Sequence, residues 1–135
     1  KLAISLNASN DETRSKIMPI NNKWPISELI AIGRKHAHRN RKVMFEYVLL
    51  AGVNDSTDNA YELSSLLRGV DCKLNIIPYN ETDGKYRRPD NDAMESFLEV
   101  LSAQQKGYRV MVRWSKGQDI DAGCGQLAVK QESHE

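Results

Sequence analysis

Cysteine is scarce in this chain: Cys72 and Cys124 are the only two among 135 residues. That is too few for a disulfide scaffold and points to a reducing compartment, so a cytoplasmic protein is expected. Net charge is nearly absent as well. Nineteen Lys and Arg against 18 Asp and Glu leave +1, so overall charge gives no argument for a nucleic-acid partner and only a local patch can. No apolar run approaches the roughly 20 residues that a bilayer span requires; the longest uncharged one is YVLLAGV, Tyr47 to Val53. The opening KLAISLNASN has no basic region, apolar stretch and small-residue cleavage site in sequence, and is not a signal peptide. It begins without methionine in an apolar run, so the chain is expected to be cut from something longer. A phosphate-binding glycine loop, a dinucleotide fingerprint, repeats and low-complexity segments are all missing. No metal-ligating spacing is present either, since His36 and His38 are too close to share a helix face.

What is present is an alternation of two periodicities. Leu2 to Leu6 has the character of a short buried strand, closed by the polar run NASNDE. A helix is expected from WPISELIAIGRKHAHRN, with Ile26, Leu29 and Ile30 inward and Pro25 in its first turn. VMFEYVLL, Val43 to Leu50, is nearly continuous in apolar residues and resembles a strand covered on both faces. Asp55 or Ser56 can cap a helix with Ala60, Leu63 and Leu67 on one side, and Gly69 closes it. The order then repeats: CKLNIIP as a strand leaving at Pro78, a polar loop YNETDGKYRRPDND, and a helix with Met94, Phe97, Leu98 and Leu101 on one face. Asp90 or Asp92 caps that helix, the latter with Glu95 in capping-box spacing. Gly107 ends it, and YRVMVRW alternates as a half-buried strand. Such an order implies right-handed βαβ units, a parallel sheet, and a site built on the loops at the strands' carboxyl ends.

Several residues stand out, each with a structural alternative. Cys124 lies between two glycines in DIDAGCGQLA, where Ile120, Cys124 and Leu127 can share a helical face or the thiol can approach a substrate closely. Asp119 and Asp121 do not favour a resting thiolate. Cys72 at a strand start has the character of a buried structural cysteine. Glu46 inside MFEYVLL must find a partner, by pointing into a site or by pairing with a structural arginine. Asn75 and Asn80 flank the strand end NIIPYN, where an amide can orient a ligand or cap a loop. The basic run Gly33 to Lys42 fits solvated cations at a helix C-terminus, whereas Arg87 and Arg88 fall on the expected site rim.

Taken in order, LAISLNASNDETRSKIMPIN, FEYVLLAGVND, CKLNIIPYN and DIDAGCGQLA resemble the C-terminal half of the radical S-adenosylmethionine RNA methyltransferases that methylate adenine C2. The likeness runs over nearly the whole chain with matching gaps. It implies an α/β fold, the C-terminal half of a partial (β/α)6 TIM-like barrel with an extra C-terminal strand and a cysteine loop. It implies further that Ser5, Leu6 and Asn7 line the S-adenosylmethionine site, and that Asn80 contacts the same cofactor. Cys124 matches the cysteine that is methylated and carries the methyl group to the base. The substrates implied are 23S rRNA and tRNA, with no membrane, and the full-length enzyme is expected to be a monomer.

The departures are specific. The family's C-x-x-x-C-x-x-C motif for the 4Fe-4S cluster, its glycine–glutamate cofactor motif and its second cysteine do not occur here. In the family they lie upstream, so the fragment is expected to need the N-terminal half of the same protein for activity. Family members carry histidine where this chain has Asn7, and Lys116, Gln118 and Gly123 replace common residues near the cysteine. Two alternatives belong beside the leading reading: the sister branch that methylates C8 and confers resistance, and a non-catalytic RNA- or nucleotide-binding remnant.

Overall fold

A computed structural model describes residues 1–18, 23–81 and 84–113. Its order is β1 (Leu2–Ser5), α1 (Asp11–Ile17), α2 (Ile26–His38), β2 (Val43–Leu49), α3 (Thr57–Leu67), β3 (Cys72–Pro78), α4 (Asn91–Ala103) and β4 (Tyr108–Val112). All three strand pairings are parallel and the spatial order is β1-β2-β3-β4. Sequential order without a reversal winds the chain one way, as in a (β/α) barrel, and right-handed crossovers then place the helices on one face.

Strand periodicity divides the sheet accordingly. Phe45, Tyr47, Leu49, Leu74 and Ile76 point to the helices and are fully buried, with Phe97 and Leu101 of α4 in the same core. The Tyr47 and Phe97 rings meet at 5.5 Å and 38°, a tilted aromatic contact. Gly33 lets α2 lie directly on the sheet, since a Cβ there would fall 2.5 Å from the Phe45 ring. The opposite face carries Met44, Glu46, Val48, Lys73 and Ile77, all half-buried. β2 is therefore covered fully on one side only, not on both as its apolar run suggests.

The punctuation is largely as expected. Ser56 caps α3 in a reciprocal box with Asn59. Gly69 and Gly107 follow α3 and α4 with φ of 80° and 89°, the left-handed conformation that glycine adopts without strain. Three local details differ. Asp90, not Asp92, caps α4, accepting from the Ala93 amide at 2.8 Å. Pro25 is the residue just outside α2, where its fixed φ still suits the entry. The polar run after β1 is not only loop: Asn10 caps the seven-residue α1, accepting from the Thr13 amide at 2.8 Å. The expected C-terminal strand and the cysteine loop with Cys124 lie outside the described residues.

Candidate functional site at the carboxyl rim

The carboxyl ends of the strands are tied together by side-chain amides. Asn7, just past β1, has φ of 59°, a left-handed conformation that asparagine tolerates better than most residues. Its Oδ1 accepts from the Val48 amide at 2.9 Å and its Nδ2 donates to the Met18 sulfur at 3.4 Å, so the side chain bridges β1 and β2 where the ladder has ended. Asn54, in the turn after β2, is wholly buried. Its Nδ2 donates to the carbonyls of Asn7 and Val48 at 2.9 and 2.8 Å, and its Oδ1 accepts from the Leu50 amide at 2.8 Å. The Tyr47 hydroxyl donates to the Asn54 carbonyl at 2.6 Å; burial pushes that phenol far above its ordinary range.

A second brace comes from α1. Arg14 is buried and donates from Nε to the Leu6 carbonyl at 2.9 Å, from Nη2 to Ser5 at 2.9 Å and from Nη1 to Trp24 at 3.1 Å. Burial lowers the guanidinium's proton affinity and Asp11 works against that, but an arginine remains charged. Thus the carbonyl end of β1 meets a fixed cation. Beside it the Ser9 hydroxyl donates to Glu62 Oε1 at 2.6 Å, while Asn10 Nδ2 adds a bond to the same oxygen at 3.1 Å. These bonds, that from Ser9 first, hold the Glu62 carboxyl below its usual range.

The expected cofactor residues fall at this rim in different attitudes. Ser5 is exposed on the face away from the helices, in one register row with Glu46, Asn75 and Met111. Leu6 turns its side chain into the helix-side core, and its amide and carbonyl are taken by the Glu46 carbonyl and Arg14. Asn7 uses its amide as the bridge described above. Asn80 is exposed two residues past β3. Asn75 is not at the strand end but within β3, 7% exposed, its Nδ2 donating to the Met44 sulfur at 2.9 Å. Glu46 faces the same open side and pairs with Arg113 at 3.5 Å, which joins the two roles considered for it. Asn54 and Arg14 are the residues sequence reasoning passes over.

Metal binding is tested by the same geometry. Among the described residues no three His, Cys, Asp or Glu side chains converge. Cys72 is 2% exposed, and burial, helped by Asp71, pushes its thiol up to about 12. It is buried and has no second cysteine near it among the described residues, so those residues do not fit an iron–sulfur cluster, which takes several cysteine thiolates. A cavity of about 430 Å³ exists at the other end of the sheet, bordered by Arg41, Lys42, Met44, Lys73, Asn75 and Arg109. It lies at the amino ends of the strands, opposite the end where parallel barrels place their chemistry. No helix among the described residues is long and apolar enough to cross a membrane.

A one-way parallel sheet with a braced carboxyl rim defines a partial (β/α) barrel, and known structures agree. A domain of pyruvate-formate lyase-activating enzyme from Bacteroides vulgatus superposes with a TM-score of 0.66 at 16% identity, over 83% of this chain and 66% of that one, a likeness of fold alone. A radical SAM methyltransferase from Sphaerobacter thermophilus matches with a TM-score of 0.79 and 47% identity over 93% of this chain and 37% of that one. The fold class is therefore that of a partial (β/α) barrel, and the sequence likeness at this level is to part of a radical SAM methyltransferase.

The particular relatives are narrower. The dual-specificity RNA methyltransferase RlmN of Desulfosudis oleivorans is 50% identical over 130 residues, 95% of this chain and 34% of its own length. That of Marinobacter nauticus is 44% identical over 135 residues, 97% of this chain and 36% of its own. The chain is similar along nearly its whole length to these RNA methyltransferases, and it spans about a third of the length of the curated relatives it matches. No family model matches it.

Proposed function

We propose that this chain is the C-terminal part of a radical SAM methyltransferase that methylates adenine C2 in 23S rRNA and tRNA, with Cys124 as the methyl carrier. The observation that carries the reading is identity of 44–50% along 95–97% of the chain to enzymes named dual-specificity RNA methyltransferases, on a fold whose rim holds Ser5 and Asn80 exposed. Bound S-adenosylmethionine supplies the transferable methyl group and the radical chemistry. The chain's own part is to shape the rim. Ser5 offers a hydroxyl and Asn80 an amide that both donates and accepts. Asn7 and Leu6 act through the backbone path they hold, because their polar groups already have partners. The cluster ligands belong to the N-terminal half of the same protein, and the whole acts as a cytoplasmic monomer.

Adenine C2 carries no acidic hydrogen and is a poor nucleophile, so a direct displacement on a sulfonium methyl has no productive partner. A cysteine that takes the methyl first holds it as a thioether, and the radical chemistry supplied with bound S-adenosylmethionine would turn that methyl into a carbon radical able to add to the ring, so no nucleophilic ring carbon is needed. Gly123 and Gly125 on either side of Cys124 permit the close approach this needs. The base must leave its stack to be reached, which costs about a few kcal/mol. In the complete enzyme, Cys124→Ala is expected to abolish methylated adenosine in nucleoside mass spectrometry of the RNA. Methylation that persists at the wild-type level would withdraw the assignment. The same chromatogram separates 2-methyladenosine from 8-methyladenosine and decides between the two branches.

A further inference from the structure

Around the carboxyl rim the charges are unevenly placed. The turn and helix entry after β2 carry Asp55 and Asp58, whereas beyond β3 the stretch 84–88 gathers Lys85, Arg87 and Arg88 around Tyr86, between Glu81 on one side and Asp90 on the other. That cationic segment is pinned. The Arg87 carbonyl accepts from the Ala51 amide at 2.8 Å, just past the end of β2. The Arg88 amide donates to Glu81 Oε2 at 2.7 Å. The Tyr86 ring stands edge-on to Tyr79, at the end of β3, with centroids 5.8 Å apart and planes at 88°. Lys85 Nζ lies 5.7 Å from the Tyr86 centroid. Residues 84–88 thus form a strap tied to the carboxyl ends of both β3 and β2, and Arg87 is exposed upon it.

We propose that Arg87, with Lys85 beside it, is a phosphate-contact site that seats the RNA backbone on this strap at the carboxyl rim. The proposal rests on the RNA methyltransferase reading of the rim and adds which residues hold the polyanion. A guanidinium presents a planar fork that suits two phosphate oxygens. A backbone already anchored at both strand ends loses little further freedom when the phosphate arrives. Such a contact positions the RNA and reads no sequence, since phosphates are common to every nucleotide. The other dense basic region, Arg34 to Lys42, belongs to the end of α2 and the entry to β2. It is at the opposite end of the sheet from the strap and provides the internal control.

The test is fluorescence anisotropy of a labelled RNA hairpin with an adenine in its loop, over a range of salt concentrations. It uses the complete enzyme as wild type, the series Arg87→Lys, Arg87→Ala and Arg87→Glu, and the double variant Arg41→Ala/Lys42→Ala. Affinity is expected to fall in that order along the Arg87 series, by about 3- to 10-fold at alanine. The salt slope should drop by about 0.7 to 0.9, the share of a single phosphate that is no longer neutralised. The double variant should bind as wild type, and a hairpin of changed loop sequence should weaken by the same factor at Arg87→Ala. Melting should be unmoved in the alanine variant, because Arg87 serves the fold through its carbonyl. RNA affinity that falls in the double variant but is unchanged at Arg87→Ala overturns the strap and leaves RNA binding intact. Weakened S-adenosylmethionine binding by calorimetry, with RNA affinity unchanged, also overturns it and assigns Arg87 to the cofactor carboxylate. Absence of RNA binding by the wild type overturns the strap together with the reading it rests on.

Discussion

The two faces of one sheet behave as different materials. Phe45 and Glu46 are neighbours in β2, yet Phe45 is sealed under α2 and Glu46 faces the open side with Arg113 as its partner. On the helix side the inward residues are apolar and close-packed. On the open side, hydroxyl, amide, carboxylate and thioether groups share a single row through Ser5, Glu46, Asn75 and Met111. The contrast is between a face that supplies cohesion and a face that leaves polar groups in reach of solvent. A half-open barrel can keep its fold because the helices cover the side that does the holding.

Truncation should break the symmetry between neighbours most sharply. Phe45→Ala is expected to cost about 3–5 kcal/mol in denaturant unfolding. Met44→Ala, one residue along and half-buried, should cost well under half of that. Equal losses would mean that the open face is packed as tightly as the closed one.

The seam between the faces comes next. Asn54→Ala leaves the Asn7 and Val48 carbonyls and the Leu50 amide without their present partner, and unsatisfied buried groups cost about 1–3 kcal/mol each. A net loss of about 2–4 kcal/mol is expected, since solvent can reach part of the site once the side chain is gone. Hydrogen exchange should quicken at Leu50 and Val48 before it does in the helix-side core. Unchanged exchange there would show that the amide does not hold the rim.

The smallest effect belongs to the open face. Glu46 and Arg113 sit 3.5 Å apart with side chains 24% and 59% exposed, and pairs of this kind contribute about 0–1 kcal/mol. Glu46→Gln should therefore shift stability by less than about 1 kcal/mol, and what shift there is should fade in high salt. A loss insensitive to salt would make Glu46 part of the core after all.

Much of this architecture was legible in the chain itself. Helix faces such as Met94, Phe97 and Leu101 repeat at the helical period, and Gly69 closes α3, whereas Gly107 lies three residues past the α4 C-cap Gln104 and leads into β4 instead of ending the helix. The cap of α3 could be narrowed to two adjacent residues. α1 escaped because seven residues with Arg14 as the buried one carry no apolar stripe, and Asn10 was its only signal. Arg14 and Asn54 escaped for a related reason. An arginine after a polar run and an asparagine in a turn are ordinary in sequence. Their meaning lies in which carbonyls they meet.

The sequence by itself determined the order of elements other than α1, the parallel sheet and the resemblance to RNA methyltransferases, because periodicity, caps and motifs are local or strictly ordered along the chain. Tertiary structure alone decided which face of each strand is closed, and therefore that Leu6 turns toward the helices while Asn75 turns to the open side. It alone joined Asn7, Val48 and Asn54, and brought Arg87 to Ala51. Those facts depend on groups far apart in the chain meeting at a few ångströms, and no local pattern records a distance.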